Sequence, residues 1–223
     1  MSLAYLLLVY LIAAIPFGLI LTTVWGNGVD LRMAGSGNIG ATNVARVFGW
    51  RIAAATLLLD LSKGLLPVLL APFFGLDGMV WATVIAMVAF LGHCYPVYLE
   101  FRGGKGVATG AGGMLGIAPI PTAIAVGIWA LLLAISGKSS VASLCATIGL
   151  VVACVVLNRP ALTATLFLAV GITLTHTPNI RRLVRGEESE VVRPVRLGNR
   201  GTTELTAEEA LSQGPGGGAS GEW

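Results

Sequence analysis

Apolar residues fall into long blocks separated by short polar gaps. The first block covers residues 3–24 and is interrupted only by Pro16 and Gly18. Others cover 52–74, 79–99, 107–135, 141–157 and 161–175. A helix needs about 20 apolar residues to cross hydrocarbon, so most of these blocks predict one spanning helix each. The block 107–135 is too long for one untilted span and short for two. Pro119 and Pro121 stand near its middle, where a helix is expected to break. A hairpin of two short helices is therefore expected, its first arm about a dozen residues, below the ~17 that usually span. That arm reads as a partly buried or re-entrant helix. The fold class is all-α integral membrane, with about seven transmembrane helices.

Composition supports this reading. Hydrophobic residues make up 55% of the chain and charged residues 11%, with mean hydropathy +0.83. A soluble domain carries about 25% charge. Up to His176 the acids are only Asp30, Asp60, Asp77 and Glu100. Cys94, Cys145 and Cys154 lie in apolar stretches and form no CxxC pair, so neither a disulfide framework nor a metal site is expected. The start of the chain has no basic region before its apolar run and no clear small-residue cleavage site, so residues 3–25 read as a retained span.

Basic residues set the orientation. Arg32, Arg46, Arg51, Arg102, Lys105, Lys138, Arg181, Arg182 and Arg185 flank a subset of the gaps, and the others carry Asp77, Arg159 or no charge. Placing the basic gaps in the cytoplasm puts the N-terminus outside and the C-terminus inside. Residues 1–188 form the multi-pass domain. Residues 189–223 form a polar cytoplasmic tail, expected to be disordered, with Gly and Ser concentrated at its end.

Three polar segments could carry chemistry. In Gly35-Ser36-Gly37-Asn38-Ile39-Gly40-Ala41-Thr42-Asn43, the glycines let backbone amides converge as an anion-binding nest ahead of a helix. Arg46 adds a fork for phosphate. Taken alone, the same loop could equally be a flexible connection capped by Asn and Ser. In Gly103-Gly104-Lys105-Gly106-Val107-Ala108-Thr109, Lys105 is either a point charge for phosphate or a positive-inside anchor. The flanking glycines favour the first, because an anchor needs no close backbone approach. The third segment runs from His176 through Asn179, Arg181 and Arg182 to Glu187 and Glu188. His176 could carry a proton or donate to phosphate, or be an ordinary interfacial histidine. Lys138, Ser139, Ser140 and Ser143 form a smaller cluster on the same side. Asp60 and Lys63, spaced i, i+3 in an apolar block, can pair on one helix face. Their first expected role is holding the polar loops, with direct catalysis second. His93, near a helix end, reads as structural. Phosphate-friendly clusters on one side of a membrane domain suggest a substrate with both a phosphate and an acyl or prenyl chain.

These motifs, in this order and spacing, together with Asp60 to Lys63-Gly64, resemble the bacterial acyl-phosphate:glycerol-3-phosphate acyltransferases over nearly the whole chain to about Glu188. The resemblance implies a seven-span enzyme of the inner (cytoplasmic) membrane, with its site facing the cytoplasm. It would move an acyl chain from acyl phosphate to the 1-hydroxyl of sn-glycerol 3-phosphate, giving lysophosphatidic acid and phosphate, the first step of phospholipid synthesis. Ser36, Lys105, His176 and Asn179 are the expected catalytic residues. Gly37, Asn38, Gly40, Thr42, Asn43, Arg46, Gly103, Gly104, Gly106, Thr109, Ser140, Arg182 and Glu188 are the expected substrate-binding residues. No metal, cofactor or nucleic acid is called for. The partners are the two substrates and membrane lipid, and a monomer is expected. The family commonly carries a basic residue after the histidine. Here Thr177-Pro178 stands instead, which removes one phosphate contact and would tilt the last loop. The competing class is a transporter of a small phosphate ester, which would place broken or charged helices at the bilayer midplane. The absence of an internal repeat weighs mildly against it.

Overall fold

The computed structural model describes residues 1–26 and 30–191. Most of the expected tail lies outside the described residues. Every apolar block is helical. The first is split into α1 (Ser2–Ala13) and α2 (Phe17–Trp25), because Pro16 has no amide to continue the ladder. A short 3-10 turn, Leu31–Met33, is capped by Asp30, whose Oδ1 accepts from Arg32 N at 2.9 Å. Then come α3 (Ala41–Phe48), α4 (Trp50–Leu70) and α5 (Gly78–Cys94).

The proline-bearing block divides as its sequence predicts. Its first arm, α6 (Val107–Ile117), has 11 residues, and α7 (Pro119–Ser136) starts on the first proline after a break at Ala118. α8 (Ser139–Leu157), α9 (Leu162–Thr175) and α10 (Thr177–Arg185) complete the described chain. Pro178 sits in the first turn of α10, where a missing amide is tolerated. The Thr177 hydroxyl donates to Leu174 O at 2.7 Å. So Thr177-Pro178 opens a helix bent by 55° from α9, where sequence suggested a tilted loop.

Five of the helical segments are long and apolar enough to cross a membrane, and the bent α9–α10 pair raises this to six. The 11-residue α6 falls short of that length. Large apolar side chains such as Leu58, Val80, Leu131, Val156 and Val170 are exposed on the outside of the bundle, as lipid solvation requires. Inside, Phe90, Ile85, Met114, Leu168 and Val9 form the core.

Small residues fix the central contact between α4 and α6. A Cβ on Gly64 would run into the Thr109 carbonyl, and one on Gly112 into the Leu61 carbonyl. Without a hydrophobic drive between helices in lipid, such close backbone approach supplies much of the attraction. The contact puts the start of α6, and the loop before it, beside the polar face of α4. The polar side chains buried between helices include Thr22, Thr56, Asp60, Lys63, His93 and Thr109. Lys63 Nζ lies 2.9 Å from Asp60 Oδ1, the pair that the i, i+3 spacing predicts.

Candidate active site

The three polar segments meet at one end of the bundle around a single cavity. The first is organised by Asn43, which is 1% exposed. Its Oδ1 accepts from Ser36 N at 2.8 Å and from Arg46 Nη1 at 3.2 Å. Its Nδ2 donates to Ala34 O at 3.0 Å and Asn38 O at 2.9 Å. Gly35 takes the left-handed conformation, φ +59°, and a side chain there would collide with Asn43 Oδ1. The folded loop delivers Gly40 as the cap of α3. Ser36, Asn38, Gly40, Thr42 and Arg46 line the cavity where that helix begins. First-turn amides at a helix N-terminus attract anions. Asn43 also borders the cavity, but its amide is committed to the loop. Its hydrogen bonds organise the loop that carries Ser36 and Asn38.

The second segment is pinned from both sides. Gly103 N donates to Cys94 O at 3.0 Å and Gly104 N to His93 O at 3.1 Å. Gly106, φ +76°, turns the chain into α6 against the Phe90 ring, leaving no room for a side chain. Lys105 between them lines the cavity. Its carbonyl accepts from Thr175 Oγ1 at 3.0 Å, which joins this loop to the end of α9. Burial pushes the Lys105 ammonium down to about 8; Glu188 pulls the other way, while Arg182 and Arg46 add to the depression.

The third segment supplies His176 and Asn179, 2% and 4% exposed. His176 Nδ1 lies 2.8 Å from Ile172 O. A carbonyl only accepts, so Nδ1 carries the proton and Nε2 keeps its lone pair. Asn179 Nδ2 donates to Glu188 Oε1 at 2.6 Å, and Arg182 Nε to Glu188 Oε2 at 2.8 Å. Burial opposes ionisation of Glu188, but Asn179, the nearby Ser140 hydroxyl and Arg182 outweigh it and hold the carboxyl below its ordinary range. Asn179 Oδ1 is buried without a hydrogen-bond partner among the described residues, and the Ser140 hydroxyl is buried beside the Glu188 carboxylate. Both residues border the cavity. An unpartnered buried oxygen is costly unless a ligand or water completes it. Thr42 Oγ1 and Ser139 Oγ, 3.1 Å apart, tie α3 to α8 across the mouth.

The cavity thus collects Ser36, Lys105, His176 and Asn179, together with Asn38, Gly40, Thr42, Asn43, Arg46, Gly106, Ser140 and Glu188. Other expected residues stand apart from it. Gly37 and Gly103 border a second recess with Arg32, Glu100 and Arg102. Gly104 packs on the His93 ring. Thr109 is wholly buried on α6. Arg182 is outside the cavity lining and is paired with Glu188. Among the described residues no group of His, Cys, Asp and Glu has a metal-holding arrangement.

Away from its polar end the same cavity is apolar, lined by Leu57, Val107, Ala125, Trp129, Leu150 and Leu168. Sequence spacing carried no signal for this arm, because its walls come from five different helices. Asp60 and His93 also reach the cavity wall.

Comparison with known proteins places the chain beside one family. A family profile described as glycerol-3-phosphate acyltransferase matches residues 3–186. A glycerol-3-phosphate acyltransferase of Sulfurimonas denitrificans is 46% identical over 193 residues, covering 82% of this chain and 93% of the relative. One from Gluconobacter oxydans is 47% identical over 189 residues, covering 82% and 89%. Among solved structures, the glycerol 3-phosphate form of PlsY (YgiH), an integral membrane glycerol 3-phosphate acyltransferase, superposes with TM-score 0.78 at 35% identity, covering 85% of this chain and 94% of that one. The lysophosphatidic acid form of the same enzyme gives TM-score 0.77 at 34% identity, with the same coverage.

Proposed function

The chain belongs to the glycerol-3-phosphate acyltransferase family, and on that premise we propose that it moves an acyl chain from acyl phosphate to the 1-hydroxyl of sn-glycerol 3-phosphate. The products are lysophosphatidic acid and inorganic phosphate, and the step opens phospholipid synthesis. The observation that carries the reading is one cavity with two chemistries. Its polar end gathers Ser36, Arg46, Lys105, His176 and Asn179, and its other end is an apolar arm. An acyl phosphate has that division within one molecule.

Acyl phosphate is a mixed anhydride whose phosphate leaves readily, so no protein nucleophile is required. The acceptor hydroxyl attacks the carbonyl carbon, the carbon–oxygen bond to phosphate breaks, and the phosphate departs with that electron pair. Orientation and preorganised charge then supply most of the acceleration. The start of α3, with Ser36 and Lys105, holds the donor phosphate. Arg46, Ser140 and Asn179 hold glycerol 3-phosphate, with Arg182 and Glu188 bracing Asn179. His176 receives the hydroxyl proton at Nε2, its ring fixed by the Ile172 carbonyl.

The polar end faces the cytoplasm of the inner membrane, with the N-terminus outside. The positive-inside distribution of Arg and Lys supports this orientation. The bundle has seven membrane segments, α6 being the short one, and works as a monomer with lipid around it.

The test uses protein purified in detergent, palmitoyl phosphate and sn-glycerol 3-phosphate, with palmitoyl-CoA as a parallel donor. Phosphate and lysophosphatidic acid should appear together, and only with the acyl phosphate. Lysophosphatidic acid formed equally from palmitoyl-CoA would overturn the donor assignment. A covalent acyl-serine at Ser36 would overturn direct transfer.

A further inference from the structure

A buried charged cluster, of which Asp60 and His93 reach the cavity wall, takes no part in the chemistry above. Asp60 and Lys63 on α4 and His93 on α5 are 2%, 4% and 5% exposed. Lys63 Nζ pairs with Asp60 Oδ1 at 2.9 Å and donates to Ile15 O at 3.0 Å, beside the α1–α2 break. His93 Nδ1 lies 3.6 Å from Asp60 Oδ1. Ionisable groups inside a membrane domain are expensive, and they persist where they serve a function.

What His93 touches on its other side indicates that function. Its carbonyl accepts from Gly104 N at 3.1 Å. Its ring lies so close to the Gly104 Cα that an added Cβ would overlap Nε2. Gly104 immediately precedes Lys105. The ring of His93 is therefore the floor on which the lysine loop rests, and Asp60 sits at the far edge of that floor. Lys63 balances the Asp60 charge and ties the group to the start of the bundle.

We propose that Asp60 and His93 are a positioning pair for the acyl-transfer reaction, holding the Gly103–Gly106 loop so that the Lys105 ammonium stays inside the cavity. The pair acts through Lys105, by way of the Gly104 contact with His93, rather than as a substrate contact of its own. This rests on the assignment of Lys105 to a substrate phosphate.

Glu188 and Arg182 beyond α9, Arg46 on α3 and His176 at the α9–α10 junction are the charged or titratable groups facing Lys105. Asp60, Lys63 and Cys94 are those facing His93 or its neighbours in the cluster. A loop released from His93 would let Lys105 reach water, so its ammonium would titrate closer to the ordinary 10.5.

The experiment measures initial rates with palmitoyl phosphate and glycerol 3-phosphate from about pH 6 to pH 10, with thermal unfolding in parallel. It compares wild type, His93→Gln, Asp60→Asn, Gly104→Ala, His93→Ala and the double variant His93→Ala/Gly104→Ala. His93→Gln and Asp60→Asn should lose about 10- to 100-fold in kcat/KM, as for lost supporting partners elsewhere, mostly through KM. The alkaline limb of His93→Gln should move to higher pH. Gly104→Ala should cost activity alone but add little to His93→Ala, because the ring it would strike is gone. Folded His93→Gln with the wild-type alkaline limb and kcat/KM overturns the proposal, as does additive loss in the double variant. A folded wild type without turnover overturns instead the functional assignment beneath it.

Discussion

Asn179 and Glu188 are joined by a 2.6 Å hydrogen bond that leaves Asn179 Oδ1 buried, unpartnered among the described residues and beside the cavity. The carboxylate thereby fixes which way the amide points. Its Nδ2 is held by the protein, and on the proposed assignment its oxygen would accept from a hydroxyl of glycerol 3-phosphate.

Replacing Glu188 with Gln removes the charge that orders both Asn179 and Arg182. A hydrogen bond to a charged group is worth about 1.5–3 kcal/mol, so kcat/KM for glycerol 3-phosphate should fall roughly 10- to 100-fold, mainly in KM. The Glu188 carboxyl is held below its ordinary range by partners that outweigh its burial. Its stabilising contribution is therefore present above the unfolded carboxyl value of about 4.3 and lost as pH falls through the lower folded value. Unfolding midpoints of the wild type should drop along that acid interval, and those of the Gln variant should drop less.

Asn43 should behave differently from a substrate contact. Asn43→Ala orphans Ser36 N and the carbonyls of Ala34 and Asn38, which Asn43 now satisfies at 2.8 to 3.0 Å. A loss of about 1–3 kcal/mol follows from leaving the buried Ala34 carbonyl and two part-buried partners unpaired. The unfolding midpoint and the activity should fall together. An Asn43→Ala enzyme of full stability with only a raised KM would mean that the residue contacts substrate after all.

The contrast between these two asparagines shows what the sequence made legible. Runs of apolar residues, the Pro119 break and the glycine-flanked cations are local patterns, and each became the helix, turn or loop it predicts. The convergence of Ser36, Lys105, His176 and Asn179 was also legible, because motif order and spacing resemble a known family. Whether an asparagine serves ligand or loop depends on partners such as Ala34 O, which no periodicity reveals. Gly104 looked like a phosphate-loop glycine and instead makes room for His93, 11 positions earlier in a helix that ends before the loop begins. The apolar arm was illegible for the same reason: Leu57, Trp129 and Leu168 meet only after α4, α7 and α9 have packed.

Close helix approach gives a prediction of stability. A Cβ on Gly64 would overlap the Thr109 carbonyl, whereas Gly127 on α7 has open space around its Cα. Gly64→Ala should push α4 from α6 and destabilise the protein by about 1–3 kcal/mol, the usual range for overpacking. Gly127→Ala should be neutral or stabilise by up to about 1 kcal/mol, since alanine is the better helix former. Paired thermal unfolding in one detergent compares them. Equal midpoints would remove the close α4–α6 contact as a determinant of the fold.

Lys105 makes activity and stability move in opposite directions with pH. Burial lowers its ammonium to about 8 from the ordinary 10.5, against the pull of Glu188. The free enzyme needs the charged form to hold phosphate, so kcat/KM should fall as pH rises through about 8. Bound phosphate favours the charged lysine, so the corresponding limb of kcat should lie at higher pH. Stability has the other sign. Between the folded and unfolded values the unfolded chain binds more protons, so this lysine makes the native state relatively more stable as pH rises across that interval. Lys105→Met should abolish the alkaline limb along with most of the activity and flatten the stability rise. A wild-type kcat/KM profile flat through pH 9 would show that Lys105 does not hold the phosphate as a cation. A stability rise retained in Lys105→Met would assign that titration to another group.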